Sequence, residues 1–388
     1  LPDDLLSGNG LRIIDGMLKA IPFLGPSISS GLFGGEFPGT EIVARLYSLH
    51  IMIIPALIIV LLAAHLMMVV IHKHTHYPGP GKRDDNVVGY PLMPVYVAKA
   101  GGFFFLVFGV IMAIAATFTI NPIWNYGPYD PSPVSAGTQP DWYIGWLDGA
   151  LRLAPSRLDV DLFGIVLPFG VLLPLVVSLL FLGIVAAYPF IESWITGDKR
   201  EHHVLDRPRN NPTRTAIGAA GVTFYAVLWA GASTDLIATN FQMSLNHVLT
   251  TMQILTIIGP VIAYWITKRA CISLQRKDRE IALHGRETGR VVRLPHGEYI
   301  EVHQPVDKYE LWKLVDFKDY QPTMARPNAK GRITLASKAR AALSRFYFED
   351  RIAPVSKAEY ELAHADHDHS PAVEEKPKRK PRAVAAKK

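Results

Sequence analysis

The sequence predicts an all-α polytopic membrane protein: five transmembrane helices, external amphipathic helices ahead of them, and a basic cytoplasmic tail with a small β-hairpin. Three observations predict it. Of 388 residues, 49% are hydrophobic and only 19% are charged, a balance that leaves too little polar surface for a globule in water. Five stretches, residues 46–72, 100–129, 162–191, 215–234 and 236–267, contain no Asp, Glu, Lys or Arg. Charge is gathered at the end instead: residues 1–268 hold 15 Lys+Arg and 17 Asp+Glu, and residues 269–388 hold 25 and 17. The net charge of +6 is therefore a property of the tail and implies no nucleic-acid partner. The single Cys excludes a disulfide framework, a Cys-based zinc site, an iron–sulfur cluster and a CxxCH attachment within this chain.

Taken in order, residues 1–42 form an external loop. In it Leu11, Ile14, Met17, Leu18 and Ile21 recur at helical spacing behind Ser7 and Asn9, which are good N-cap residues, so an amphipathic helix is expected along the membrane surface. Residues 43–268 form the transmembrane domain, with spans near 43–72, 98–120, 162–187, 215–233 and 246–268. A bilayer core needs about 20 apolar residues at ~1.5 Å each, and Leu57 to Leu62 and Val166 to Val185 are apolar on every side, unlike a helix with one wet face. Loop charge sets direction. The second connection carries His72, Lys73, Lys82 and Arg83, and the fourth carries Lys199, Arg200, Arg207, Arg209 and Arg214. These and the tail are expected in the cytoplasm, with the loop at 121–160 outside.

Residues 269–361 form a basic extension. Within it, Arg290 to Val302 alternates about a Pro-His-Gly turn and reads as a hairpin, and Lys338 to Phe346 reads as a short basic helix. Residues 362–388 are Ala, His, Asp, Lys, Arg and Pro, a composition expected to be disordered. The chain opens on Leu1 rather than Met, in what reads as the middle of a loop, which suggests further helices upstream or in a separate chain.

The only strongly polar residues within the first span are His50 and His65. Imidazole inside a membrane helix marks a ligand, a proton relay or a polar bond between helices. Fifteen residues rise about 22 Å and turn through whole turns plus about 60°, so both rings leave nearly the same side. Two groups stacked at opposite depths on one face suit a pair of haems arranged across a membrane, and Ser48, Ala63 and Ala64 leave room for a flat macrocycle. The opposing ligands would come from outside this segment.

RLYSLHIMIIPALIIVLLAAH resembles the fourth transmembrane helix of cytochrome b, the central subunit of quinol:cytochrome c oxidoreductases. QPDWYIGW, residues 139–146, is similar to the PEWY motif of the same family, and LPDDLLSGNGLRIIDG resembles its external helices. The likeness covers residues 1 to about 268, and RETGRVVRLPHGEYIEVH in the tail resembles actinobacterial, mycobacterium-like members. The resemblance implies the cytochrome b fold and oxidation of menaquinol at the outer face. One electron would go to a Rieske iron–sulfur subunit and the other through two b-type haems to a quinone on the cytoplasmic side, coupled to proton translocation. It implies a di-haem cytochrome c subunit, a second cytochrome b copy, a haem-copper oxidase and membrane lipids as partners, in the plasma membrane.

Carried over by residue, the resemblance makes His50 a ligand of the outer haem iron and His65 of the inner one. Their fifteen-residue separation matches the photosynthetic and Gram-positive branch, whereas mitochondrial members have one residue fewer. Arg45 would lie near the outer haem's propionates, with Ser48 and Ala64 against the macrocycles. Pro140, Asp141, Trp142 and Tyr143, with Leu6 and Gly8, would bind the quinol, and Asp141 and Tyr143 would be catalytic, Asp replacing the family's usual Glu. An acceptor carboxylate within reach of a quinol hydroxyl is chemically sensible. His72, Lys73 and Lys99 lie at the depth of a cytoplasmic quinone site but match no family position. His72, His74 and His76, like His364, His367 and His369, read as solvated. Read without the resemblance, the same residues would also suit a haem-b anchor of a dehydrogenase, or a transporter or anchor without haem.

Overall fold

The computed structural model describes residues 5–365, except 88, 90, 119, 120, 122, 123, 125, 131, 133–137, 142, 156, 157, 315–320 and 354. It divides into two units, Leu1–Ile272 with Tyr320–Arg351, and Ser273–Asp319 with Ile352–Lys388. The compositional boundary at Lys268 thus falls inside a helix.

The first unit opens with α1 (Leu5–Lys19) and α2 (Gly25–Phe33). Buried Asp15 joins them, taking Lys19 Nζ at 2.8 Å and the Ser29 hydroxyl. Ser7 and Asn9 lie within α1 rather than capping it. Asn9 Nδ2 instead donates to Thr138 Oγ1 at 3.0 Å, fastening the helix to the loop that follows the second span.

The first span runs through α3 (Ile42–Ser48), a π-helical turn at Leu49–Ile53 and α4 (Ile54–His72). In that turn the Ile54 N–H bonds to the Leu49 carbonyl, five residues back, and Pro55, next along, has no N–H to restore the four-residue register. The second span comprises a turn at Leu92–Tyr96, irregular at Met93 ahead of Pro94, and α5 (Val97–Thr117). Then come α6 (Gly145–Leu153), strands β1 (Val160–Leu162) and β2 (Ile165–Leu167), and α7 (Phe169–Thr196).

The third span therefore starts at Phe169, not near residue 162. Phe163 and Gly164 both take positive φ, and Gly164 N–H bonds to the Asp161 carboxylate at 3.0 Å, so the apolar run folds into a two-residue hairpin. After a 3₁₀ turn at Pro208–Asn210 come α8 (Pro212–Gly231), α9 (Thr234–Asn240) and α10 (Leu245–His284). Among the described residues, four helices are long and apolar enough to cross a membrane: Ile42–His72, Leu92–Thr117, Phe169–Thr196 and Leu245–His284. The pair α8 and α9, bent by 66°, brings the number to five if it is one span.

Around the C-terminal spans the packing is close. Ala150 and Leu153 of α6 bury against Leu228 of α8, with Trp146, Phe224, Leu249 and Met252 around them. Gly149 makes this possible, because a Cβ there would collide with the Leu228 carbonyl. The most apolar stretches of the first two spans, and that of Leu245–His284, bury no residue within the chain.

The second and fourth connections meet at one end of the unit. His76 N–H donates to the His203 carbonyl at 2.7 Å, Leu205 N–H to the His76 carbonyl at 2.9 Å, and Val204 N–H to the Asp84 carboxylate at 2.9 Å. His76 is thus buried in this bridge, not solvated. Helix α12 (Leu335–Phe348) packs on α7 and α8. Its Tyr347 hydroxyl bonds to Glu192 and, at 2.8 Å, to Tyr188.

In the second unit β3 (Arg286–Arg293) and β4 (Tyr299–Gln304) pair antiparallel, a longer hairpin than residues 290–302. It continues with α11 (Lys308–Leu314) and α13 (Lys357–Ala365). Arg279 pairs with Glu359 at 2.5 Å and donates to the Ala353 carbonyl at 2.9 Å. Residues 362–365 complete α13, and residues 366–388 lie outside the described residues.

Candidate functional site

Four segments close on one cavity of about 700 Å³: α1, the junction of α3 with the π-turn, the loop at residues 138–144, and α6. Leu6, His50, Pro140, Asp141 and Tyr143 line it, so it gathers five of the residues singled out from the sequence. Gly8 is not in the lining; it is buried against the Tyr129 ring, where a Cβ would collide. Trp142 lies outside the described residues.

The loop is held by its backbone. The Asp141 carbonyl accepts the Ile144 and Gly145 N–H groups, each at 3.0 Å, and so starts α6. The Asp141 side chain is not spent as a helix cap; its charge lies beside the Tyr143 hydroxyl. Desolvation of that hydroxyl, and then the neighbouring Asp141 charge, push the Tyr143 pKa above its ordinary value, although 76% of the residue is exposed.

Because the glycine face of α6 is pressed against α8, its opposite face turns Leu147, Asp148, Leu151 and Arg152 into the cavity. Burial raises the Asp148 pKa; the Arg152 guanidinium opposes this, with Nε 2.6 Å from the carboxylate, and Asp235 adds to it. Arg152 also donates to Asp235 at 3.2 Å. Gln139, almost wholly buried, donates from Nε2 to the other Asp235 oxygen at 2.7 Å, and its side-chain oxygen Oε1 has no hydrogen-bond partner among the described residues. A raised carboxylate and an unpaired amide oxygen on one apolar wall are groups that can take a proton from, or bond to, a small hydroxylated molecule.

Sequence reasoning missed Asp148, Arg152, Asp235 and Gln139. The only local signal was the Asp148–Arg152 spacing on a short helix, which reads equally as an exposed helical ion pair.

The histidines stand on the first span. His50 and His65 are both exposed, and among the described residues neither ring has a hydrogen-bond partner. The π-turn changes their phase. It absorbs one residue, so the fifteen behave as fourteen α-helical residues and leave the rings about 40° apart, near 21 Å in rise. Ala64, beside His65, is exposed, and the Ser48 hydroxyl folds back onto the Ala44 carbonyl at 3.0 Å, keeping the helix surface low. An exposed imidazole near each end of the span has the chemistry of an axial ligand to a porphyrin iron. Arg45 is anchored elsewhere: its Nη1 donates to the Gly31 and Leu32 carbonyls at 2.5 and 2.9 Å, at the C-terminal end of α2, where carbonyls lack helical partners.

Residues 1–128 match the family described as "Cytochrome b(N-terminal)/b6/petB". The chain is 50% identical over 376 residues to the cytochrome bc1 complex cytochrome b subunit of Streptomyces coelicolor, covering 95% of this chain and 69% of that one. To the subunit of the same description from Streptomyces lividans it is 46% identical over 388 residues, with 95% and 69% covered. To that from Mycobacterium leprae it is 46% identical over 307 residues, 79% of this chain and 55% of that one. With half of its aligned residues identical over nearly its whole length, the chain belongs to the family of cytochrome b subunits of the cytochrome bc1 complex.

Proposed function

We propose that this chain is the quinol-oxidising subunit of a quinol:cytochrome c oxidoreductase of the plasma membrane, and that menaquinol binds at the outer face in the cavity between α1, α3, α6 and the 138–144 loop. One observation carries the reading: His50, Asp141 and Tyr143 border a single cavity. Its walls are mainly aliphatic, with Leu6, Leu11, Ile14, Leu46 and Leu147 among them, as a flat apolar ring with a hydroxyl at each end requires.

Oxidation of a quinol to a quinone removes two electrons and two protons. Asp141 takes the first proton, with Tyr143 holding the carboxylate in position, and Asp148 takes the second. The Gln139 amide oxygen accepts a hydroxyl hydrogen bond and orients the ring. Arg152, paired with both Asp148 and Asp235, holds the Asp148 carboxylate in place to accept the second proton. The b-type haems that His50 and His65 would ligate supply one-electron carriers leading inward to a quinone on the cytoplasmic side.

Moving one electron across 100 mV stores ~2.3 kcal/mol, and protons left outside add to the gradient. The other electron goes to a Rieske iron–sulfur subunit. With one Cys in the chain, the cluster and any c-type haem belong to partners: that subunit, a di-haem cytochrome c, and beyond them a second copy of this chain and a haem-copper oxidase. The tail lies in the cytoplasm.

Reduced-minus-oxidised spectra of the purified complex are expected to show two b-type α-bands, and a complex with none would end the haem assignment. Asp141→Asn is expected to slow quinol oxidation about 100-fold with both bands intact. Unchanged turnover would remove Asp141 from the reaction.

A further inference from the structure

A second cavity, of about 680 Å³, lies where α7 ends, between Thr196 and Gly197, residues 321–326, and the first two turns of α12. Among the described residues, its lining holds two guanidinium groups, those of Arg326 and Arg340, and no carboxylate. Arg340 Nε donates to the Trp194 carbonyl at 2.6 Å, one of the last-turn carbonyls a helix leaves open. That bond fixes the guanidinium plane and leaves its other nitrogens to the cavity. A Cβ at Gly197, which sits at φ 73°, would stand 3.1 Å from Arg340 Nη2 and 3.2 Å from Thr323 Oγ1. Glycine here keeps open a hollow that any side chain would fill.

Arg326 is exposed and is held by its backbone. Its backbone N–H and carbonyl are both held by the Ser337 hydroxyl at 3.0 Å, while its guanidinium has no partner among the described residues. Asp198, the nearest acid along the chain, does not neutralise the site. Arg200 pairs with it at 2.7 Å and holds its pKa down to about 2.

The cavity also sits at the boundary of an apolar span. Phe190 and Trp194, one helical turn apart, are 78% and 47% exposed, and Met324 in the cavity wall is 83% exposed. Aromatic rings at a helix end mark the headgroup level of a bilayer. Planar guanidinium forks match phosphate oxygens in pairs, and basic hollows beside transmembrane helices suit anionic headgroups.

We propose that this cavity binds a phosphate group, that of an anionic phospholipid, gripped by Arg326 and Arg340 with the acyl chains lying along Phe190 and Trp194. The site is independent of the quinol cavity, and the proposal does not rest on the reading of that cavity.

The test uses the intact complex, stripped of loose lipid in detergent and titrated with phosphatidylglycerol, phosphatidylcholine or inorganic phosphate under native mass spectrometry. Arg326→Gln leaves the Ser337 backbone bonds in place and is expected to hold one phosphatidylglycerol fewer per copy of this chain, with about tenfold weaker binding. Arg332→Gln, an exposed arginine outside the cavity, is expected to match the unmodified complex, and phosphatidylcholine is expected not to compete. Retained phosphatidylglycerol that millimolar phosphate does not displace supports the lipid. Displacement by phosphate supports the same two arginines with a free phosphate as occupant. Equal retention in the Arg326→Gln and unmodified complexes overturns the proposal, as does an equal loss in Arg332→Gln. Should Arg326→Gln not assemble, the melting temperature of the unmodified complex is compared in phosphatidylglycerol and phosphatidylcholine nanodiscs, and equal values overturn it.

Discussion

Asp148 illustrates how a side chain acquires a role from its surroundings. Its carboxylate is squeezed between an apolar wall, which raises its pKa, and Arg152, which opposes the rise without cancelling it. A base must be ionised to accept a proton, so quinol oxidation is expected to fall as pH drops through the Asp148 pKa. Because that pKa is raised, the fall comes at higher pH than the ordinary carboxylate value of about 3.9. Asp148→Asn is expected to lower turnover and to erase this acid limb in a pH–rate profile; a profile of unchanged shape would exclude Asp148 as an acceptor. His50, Asp141 and Tyr143, which border the cavity, stood out in the sequence because they lie in short motifs. Asp148 and Gln139 were not, since each takes its meaning from Asp235, 87 and 96 positions away.

The π-turn in the first span has a similar lesson for helices. Positions 43–72 were readable as one membrane helix from apolar content, yet the phase between His50 and His65 depends on a slip of one hydrogen bond that composition does not encode. If the turn absorbs one residue, deleting Met52 is expected to restore plain α-helix and keep both b-type bands. Deleting Ile58, beyond the turn, is expected to rotate one imidazole by about 100° relative to the other and lose a haem. Spectra of the two deletion complexes read this directly, and equal spectra would refute it. The hairpin at Val160–Leu167 escaped prediction for a related reason. Apolar runs of this length suit strand and helix alike, and the decision fell to Phe163 and Gly164, whose positive φ values a helix cannot hold.

Across the molecule, the four or five candidate spans and their order follow from charge-free stretches, because hydrocarbon tolerates so few other patterns. The cavity does not, since it is assembled from α1, the first span and α6, which meet only in three dimensions. A quinol analogue present at 100 times its dissociation constant is expected to stabilise the complex by about 2.7 kcal/mol, seen as a rise in melting temperature. A Leu147→Trp complex, with the cavity filled, is expected to show none; an equal rise there would place the analogue elsewhere. The glycine seam between α6 and α8 has a further consequence. It moors the proton-accepting wall to the C-terminal bundle, whereas His50 rides on a span whose most apolar stretch finds no cover in this chain. If the cavity holds quinol as proposed, its α6 wall and its His50 wall rest on different supports, so a partner that braces the first span would also set the distance an electron must cross.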